Sequence, residues 1–309
     1  MVTFVEMMKS KIQGAFNVLL NPKFHRSNSV YWDRYNVTFH KKFTTREESL
    51  EYLAWRNAQY PPFEDLMPTK GWDDKVVLDY GCGPGHDVVG FAEFSNASKI
   101  YGMDISAASV AEARKRLQLH KHPNVEIIHL QEKENKIPLP DNSVDYIHSC
   151  GVIHHIENPV PILKEFNRIL KKDGKVRLLL YNYDSIWLHL YVAYVRRIKF
   201  KQELNQDLMV SFKRSTDGDF CPYSVPYKKD DLARFAGPAG FTSELLGCSI
   251  SLNELKTFEK MRWEAISNQR FPKLHRDFMG ELKVDDNGFP TYKGVVAGIN
   301  AIYELRKSN

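Results

Sequence analysis

Cysteine is scarce in this chain and never clustered. The four residues, Cys82, Cys150, Cys221 and Cys248, form no CxxC pair, so neither a disulfide framework nor a zinc site is signalled and reduced thiols are expected. Long apolar runs are missing as well. No segment approaches the roughly 18 consecutive apolar residues of a membrane-spanning helix, and the opening MVTFVEMMKSKIQGAF is broken by Glu6, Lys9 and Lys11 and lacks a signal-peptide layout. A cytoplasmic protein without a membrane span is expected. Positive charge is modest: the formal net charge is +5, gathered at RRIKFK (196–201) and FKR (212–214) with no dense stripe of interleaved aromatics, which argues against a nucleic-acid partner. There is no GxxxxGK phosphate loop and no spaced GxGxxG. Internal repeats and low-complexity tracts are also lacking, so the 309 residues read as one large α/β unit with additions.

What the chain does contain, from residue 75 onward, is a rhythm. Short branched-apolar runs, KVVLDYG, KIYGMD, VEIIHL, VDYIHSCG and KVRLLLYN, read as strands buried on both faces. Helical patterns separate them. ISAASVAEARKRLQLH has Ser106 as its expected N-cap and a basic last turn, and NPVPILKEFNRILKKDG carries prolines at its start and Gly174 at its expected end. Alternating strand and helix predicts βαβ units in a doubly wound, mostly parallel sheet, with GFTSELLGCSI and GVVAGINAIYEL as the last two strands. Three regions depart from the rhythm: an aromatic-rich helical segment over residues 1–70, and insertions at about 184–228 and 252–290 within the 71–309 unit, each longer than an ordinary connection and therefore an expected lid or cap.

In LDYGCGPG a glycine-rich turn follows the first predicted strand. Gly81, Gly83 and Gly85 let the chain turn sharply and let backbone N–H groups approach a ligand without Cβ interference, and Asp104 ends the second strand where a carboxylate can accept both hydroxyls of a ribose. With VLDYGCGPG, GMDIS, IPLPDNSVDYIHSCGVIHHI and EFNRILKKDGKVRLLLYN in this order, the chain resembles the class I S-adenosylmethionine-dependent methyltransferases, in particular the small-molecule branch of ubiquinone and menaquinone biosynthesis, densely over residues 75–183 and loosely over the last two strands. The resemblance implies a seven-stranded Rossmann-like sheet and S-adenosylmethionine as methyl donor. It implies that Asp79 with Tyr80, Gly81, Cys82, Gly83 and Gly85 holds the methionine part, that Asp104 takes the ribose, that Ile105 lies against the adenine, and that Ser149 and Gly151 reach the cofactor through their backbone. Where the family has an acidic element for the adenine amino group this chain reads HLQEKENKIPLPD, so Gln131, Glu132 and Glu134 compete for the role. Tyr31 and Trp32 in SVYWDRYN are candidates to close over the cofactor. Cys82 and Cys150 are expected to be small space-fillers beside the site.

Transfer to a hydroxyl requires a base. GVIHHIEN puts His154 and His155 beyond the fourth strand, and Asp184 after the fifth is a candidate to orient one of them. The expected acceptor is a small or medium-sized molecule methylated at oxygen. Nitrogen or carbon acceptors and a cofactor-fold scaffold without turnover are the alternatives. An Asn-Pro-Pro-Tyr signature and a Pro-Cys nucleophile are both absent, and His129, His148, His154 and His155 lack metal-ligand spacing, so no metal is expected. SIWLHLYVAYVRRIKF, apolar and then abruptly basic, reads as a pocket wall whose Arg196 and Arg197 would meet an anionic acceptor.

Overall fold

The computed structural model describes residues 27–35, 41–132 and 136–308. Its centre is a seven-stranded sheet in the order β3-β2-β1-β4-β5-β7-β6, made of β1 (Val76–Tyr80), β2 (Lys99–Asp104), β3 (Val125–His129), β4 (Val144–Cys150), β5 (Leu170–Tyr181), β6 (Phe241–Ser249) and β7 (Asn300–Lys307). The first five strands pair in parallel and β7 runs antiparallel between β5 and β6. This is the doubly wound α/β fold the apolar runs predict. Val77, Leu78, Tyr146, Ile147, Leu178 and Leu180 are all fully buried, which is why these strands read as continuous apolar runs.

Helices α1 (Asn28–Tyr35), α2 (Arg46–Ala58), α3 (Phe63–Leu66), α4 (His86–Phe94), α5 (Ala107–His120) and α6 (Val160–Ile169) flank the sheet or its edge. Helix α5 begins where Ser106 was expected to cap it: its hydroxyl accepts the Ser109 N–H at 3.0 Å. Helix α6 ends earlier than its glycine suggested. Leu170 turns extended at φ −69°, ψ 135° and starts β5, so Gly174 lies inside the strand, where a Cβ would stand 2.8 Å from the Leu170 side chain. Burial of Leu170 in the core is worth more than prolonging the helix over charged Lys171 and Lys172.

After β5 the chain makes α7 (Trp187–Lys199), wound as a π-helix, and α8 (Leu208–Thr216). Between β6 and β7 it makes α9 (Leu252–Ser267), α10 (Lys273–Glu281) and a small three-stranded sheet. The apolar face of α7 is not a pocket wall. Leu190, Ala193 and Tyr194 pack with Ala265, Phe271, Phe278 and Met279 in a buried cluster of their own. Among the described residues no helix is long and apolar enough to cross a membrane.

Ser106 joins two parts of the molecule, since its fully buried hydroxyl also donates to Asp33 of α1 at 2.8 Å. Ser106→Ala is expected to lower the unfolding free energy by about 1–2 kcal/mol in urea titration; an unchanged midpoint would deny the cap that role.

Candidate active site

The loops that leave β1, β2 and β4 at their carboxyl ends open onto one cavity of about 350 Å³, the place where an open parallel sheet takes its ligands. The register centres it on Asp79, which lies opposite Gly102 of β2 and His148 of β4. Gly81 and Gly83 have φ of 77° and 53°, a region that favours glycine. At Gly81 a Cβ would stand 2.2 Å from Val152 Cγ2, whereas nothing lies within 4 Å of the Cβ position at Gly83. The loop therefore turns tightly against the sheet at its first glycine and opens at its second.

Asp104 fixes this loop. Its Oδ2 accepts the Gly83 N–H and its Oδ1 the Ser106 N–H, both at 2.8 Å. Burial raises its pKa, and the two amides oppose the rise. Asp79, Tyr80, Gly81, Cys82, Gly83, Asp104, Ile105 and Gly151 all line the cavity. The Cys82 and Cys150 thiols are pushed up by burial, which fits space-filling neutral side chains rather than nucleophiles.

One end of the cavity is charged. Arg56 of α2 donates to both oxygens of Asp87 and to Asn57 Oδ1, and His148 Nε2 stands 3.3 Å from Asp87 Oδ2. Burial alone would raise the Asp87 carboxyl, but Arg56 and His148 reverse this and hold it well below the usual range. Asp79, beside them, goes the other way: burial raises its pKa to about 7, with His148 opposing. Neither Arg56 nor Asp87 was among the candidates read from the sequence. The spacing of buried Ser49, Leu53 and Asn57 along α2 marks its inward face, and Arg56 lies beside that face.

The opposite end is aromatic, with one acid and no lysine or arginine among its lining residues. His155 lines it with Trp32, Tyr181 and Ile156. Its Nδ1 is 2.9 Å from the Tyr223 carbonyl oxygen, which accepts only, so Nδ1 carries the hydrogen and Nε2 is a free lone pair. Burial lowers its pKa. Asp217, the C-cap of α8, sits beside it with Oδ1 3.7 Å from Nε2. That carboxylate accepts the hydroxyls of Tyr181 (3.0 Å), Thr216 (2.7 Å) and Ser224 (2.7 Å).

Several expected site residues stand elsewhere. His154 does not line the cavity; it is fully buried, accepts the Tyr181 N–H at 3.2 Å and stacks on the Tyr181 ring. Asp184 is not the acid beside either histidine: its carboxyl is raised by burial and feels Lys293 and Lys228, while Asp217 takes the position expected for it. Ser149 donates its hydroxyl to the Tyr80 carbonyl at 3.0 Å and ties β4 to β1. Gly85, at φ 78°, starts α4 and packs on Ala113. Glu132 faces α1, accepting the Asn28 N–H and the Ser29 hydroxyl, both at 2.7 Å, and the Ser27 hydroxyl at 2.5 Å; of its rivals, Gln131 is exposed and Glu134 lies outside the described residues. Tyr31 donates its hydroxyl to the Asp217 carbonyl, and Trp32 of the same helix enters the cavity, its ring edge-on to His155 at 4.8 Å. Arg196 pairs with Glu203 at 3.0 Å and Arg197 donates to the Gln206 carbonyl at 2.8 Å, so the basic end of α7 does not reach the cavity. Acid, imidazole and thiol converge at Asp87, His148 and Cys150 and at His155, Asp217 and Cys221. In the first, Asp87 is hydrogen-bonded by Arg56, and in the second the Tyr223 carbonyl accepts from His155 and Cys221.

A seven-stranded sheet of this order, with a glycine turn after β1 and an acid at the tip of β2, is the Rossmann-like fold of the class I S-adenosylmethionine-dependent methyltransferases. Residues 72–221, just under half of the chain, match the family described as a methyltransferase domain. It is 31% identical over 130 residues to an uncharacterized methyltransferase of Schizosaccharomyces pombe, covering 41% of this chain and 46% of that protein. It is 27% identical over 173 residues to a demethylmenaquinone methyltransferase of Geobacillus sp., covering 54% and 66%, in keeping with the branch the sequence resembles. A chain of the complex between the Haloferax volcanii Trm112 methyltransferase activator and a methyltransferase shares the fold, with a TM-score of 0.51 at 16% identity over 85% of this chain and 94% of that one. The chain spans about half to two thirds of the length of these two sequence relatives.

The raised Asp79 pKa makes stability depend on pH. The folded state holds a proton between the ordinary 3.8 and about 7 that the unfolded chain releases, so this contribution is complete below the unfolded value and is lost as pH rises through the folded one. Asp79→Asn is expected to flatten the fall in urea midpoint between about pH 5 and about pH 8; an unaltered fall would place its origin elsewhere.

Proposed function

We infer that this chain transfers a methyl group from S-adenosylmethionine to a small or medium-sized molecule, at a hydroxyl oxygen, with His155 as the base. The observation that carries the reading is the polarity of the cavity, with a glycine loop and buried acids at one end and a neutral imidazole with a bare Nε2 at the other.

The residues present suit the donor. A methionine tail carries one carboxylate and one ammonium, and the charged end offers one cation, Arg56, beside two acids, Asp79 and Asp87. The backbone of Tyr80–Gly83 would hold the tail, Asp104 the ribose hydroxyls, and Ile105 with Leu130 the flat adenine. Asp104 Oδ1 and Oδ2 each bind one amide, which leaves a further lone pair on each oxygen for a ribose hydroxyl. When bound, the donor supplies an electrophilic methyl group on a sulfonium. The chain's own contribution is position and proton removal. Trp32, Tyr181 and Ile156 wall off the acceptor end and exclude water, which lets alignment supply much of the acceleration. His155 is held by the Tyr223 carbonyl in the tautomer that can accept a proton at Nε2, and its burial keeps it neutral near pH 7.

Calorimetry is expected to detect binding of S-adenosylmethionine and S-adenosylhomocysteine to the full chain. His155→Ala should lower S-adenosylhomocysteine release by about 10²–10⁴-fold at unchanged donor affinity, while Asp104→Asn weakens donor binding. A wild-type chain that binds neither nucleoside would sink the assignment, and full turnover by His155→Ala would remove the base.

A further inference from the structure

The acceptor end of the cavity presents two hydrogen-bond acceptors side by side. His155 Nε2 is a lone pair because Nδ1 donates to Tyr223. Asp217 Oδ1, 3.7 Å away, is too distant to bond to it and has no hydrogen to offer. Tyr181 occupies one lone pair of that oxygen at 3.0 Å, and Thr216 and Ser224 are both on Oδ2, so Oδ1 retains accepting capacity. The cation among the cavity-lining residues, Arg56, is committed to Asp87 and Asn57. A molecule entering here must bring the hydrogens itself. A lone hydroxyl brings one, and would leave either His155 Nε2 or the spare lone pair of Asp217 Oδ1 unfilled.

We propose that His155 and Asp217 together select acceptors with hydroxyl groups on two neighbouring carbons. One hydroxyl donates to Nε2 and is the one methylated; its neighbour donates to Asp217 Oδ1. The oxygens of such a pair lie somewhat closer together than the two protein acceptors, so slightly splayed hydrogen bonds reach both. In the step, the O–H bond of the first hydroxyl breaks and its proton goes to Nε2. Its oxygen takes the methyl group, and the sulfur keeps the electron pair of the broken S–CH₃ bond. The positive charge thereby passes from sulfur to His155, beside the Asp217 carboxylate, and leaves as a proton to solvent. Asp217 is thus a specificity-determining residue supplied by the insertion after β5. The proposal rests on the donor occupying the glycine-loop end, as inferred above.

The test compares matched pairs with the full-length chain and S-adenosylmethionine: catechol against phenol, and cis-cyclohexanediol against cyclohexanol, followed by S-adenosylhomocysteine release. The dihydroxy member of at least one pair is expected to exceed its monohydroxy partner by about tenfold or more in kcat/KM. Asp217→Asn, with melting temperature and donor affinity retained, should bring the pair close to parity, chiefly by raising KM for the dihydroxy compound. Equal rates within both pairs, turnover of neither pair by a chain that methylates cyclohexylamine or another amine, or an equal loss for both members in Asp217→Asn would overturn the proposal. If Asp217→Asn fails to fold, the wild-type pairs alone decide. A wild-type chain that binds no donor would instead defeat the methyl-transfer reading on which the proposal stands.

Discussion

The carboxylate of Asp104 is the point on which the site depends. Each of its oxygens is spent on a backbone amide, Gly83 in the loop after β1 and Ser106 at the start of α5. One side chain at the end of β2 therefore sets the shape of the glycine turn and the entry of a helix together. The chain of bonds continues outward. Ser106 donates to Asp33 of α1, which also accepts the Ala108 N–H at 3.1 Å, an acid placed where the positive end of α5 favours it. From Asp33 the same helix runs one residue back to Trp32, whose ring meets His155. A carboxylate at the donor end is thus coupled, through three hydrogen-bonded or packed contacts, to the imidazole at the other end.

Charge is segregated along the cavity. Asp87 and His148 are buried with the half-buried Arg56 beside them, and Arg56 compensates the desolvation of Asp87, an arrangement that is costly to break by removing one member of that pair. Asp79 stands against this network with a raised pKa and no cation of its own, so a ligand ammonium would complete it. At the far end no such compensation is built in. His155 meets burial by remaining neutral, and the hydroxyls around Asp217 solvate the carboxylate in place of water.

The parts of this architecture legible in the sequence are those governed by local rules. Branched apolar runs gave the strands because burial on both faces leaves no polar alternation; Ser106 was readable as a cap because capping is decided within one turn. Asp79, Asp104 and the glycines follow from strand-end geometry. The failures are tertiary. Glu132 and the acid of a cofactor site look alike in a sequence, yet its two oxygens close the start of α1, more than a hundred positions away in the chain. Asp184 lay at a plausible distance after β5, whereas the acid that reaches His155 is Asp217, presented by a helix whose placement no periodicity fixes. His154 and His155 are adjacent in sequence, and only the short 3₁₀ turn Ile153–His155 decides which points inward.

The two insertions contribute unequally, and the reason lies in what α7 rests on. Asp217 caps α8, and α8 is held to α7 by Phe212, buried against Leu188 and Val192, and by the Trp187 indole, which donates to the Ser215 hydroxyl at 2.9 Å. Helix α7 is in turn seated on the second insertion through Leu190 and Tyr194, and its first turn is fastened by Glu254, a buried acid raised to about 7 by burial that accepts the Trp187 N–H at 3.0 Å while closing the capping box of α9 with Ser251. The second insertion therefore contributes no side chain to the cavity and still supports the residue that faces His155. Changes in the α9–α10 core would be felt at Asp217 through the packing of α7 and α8.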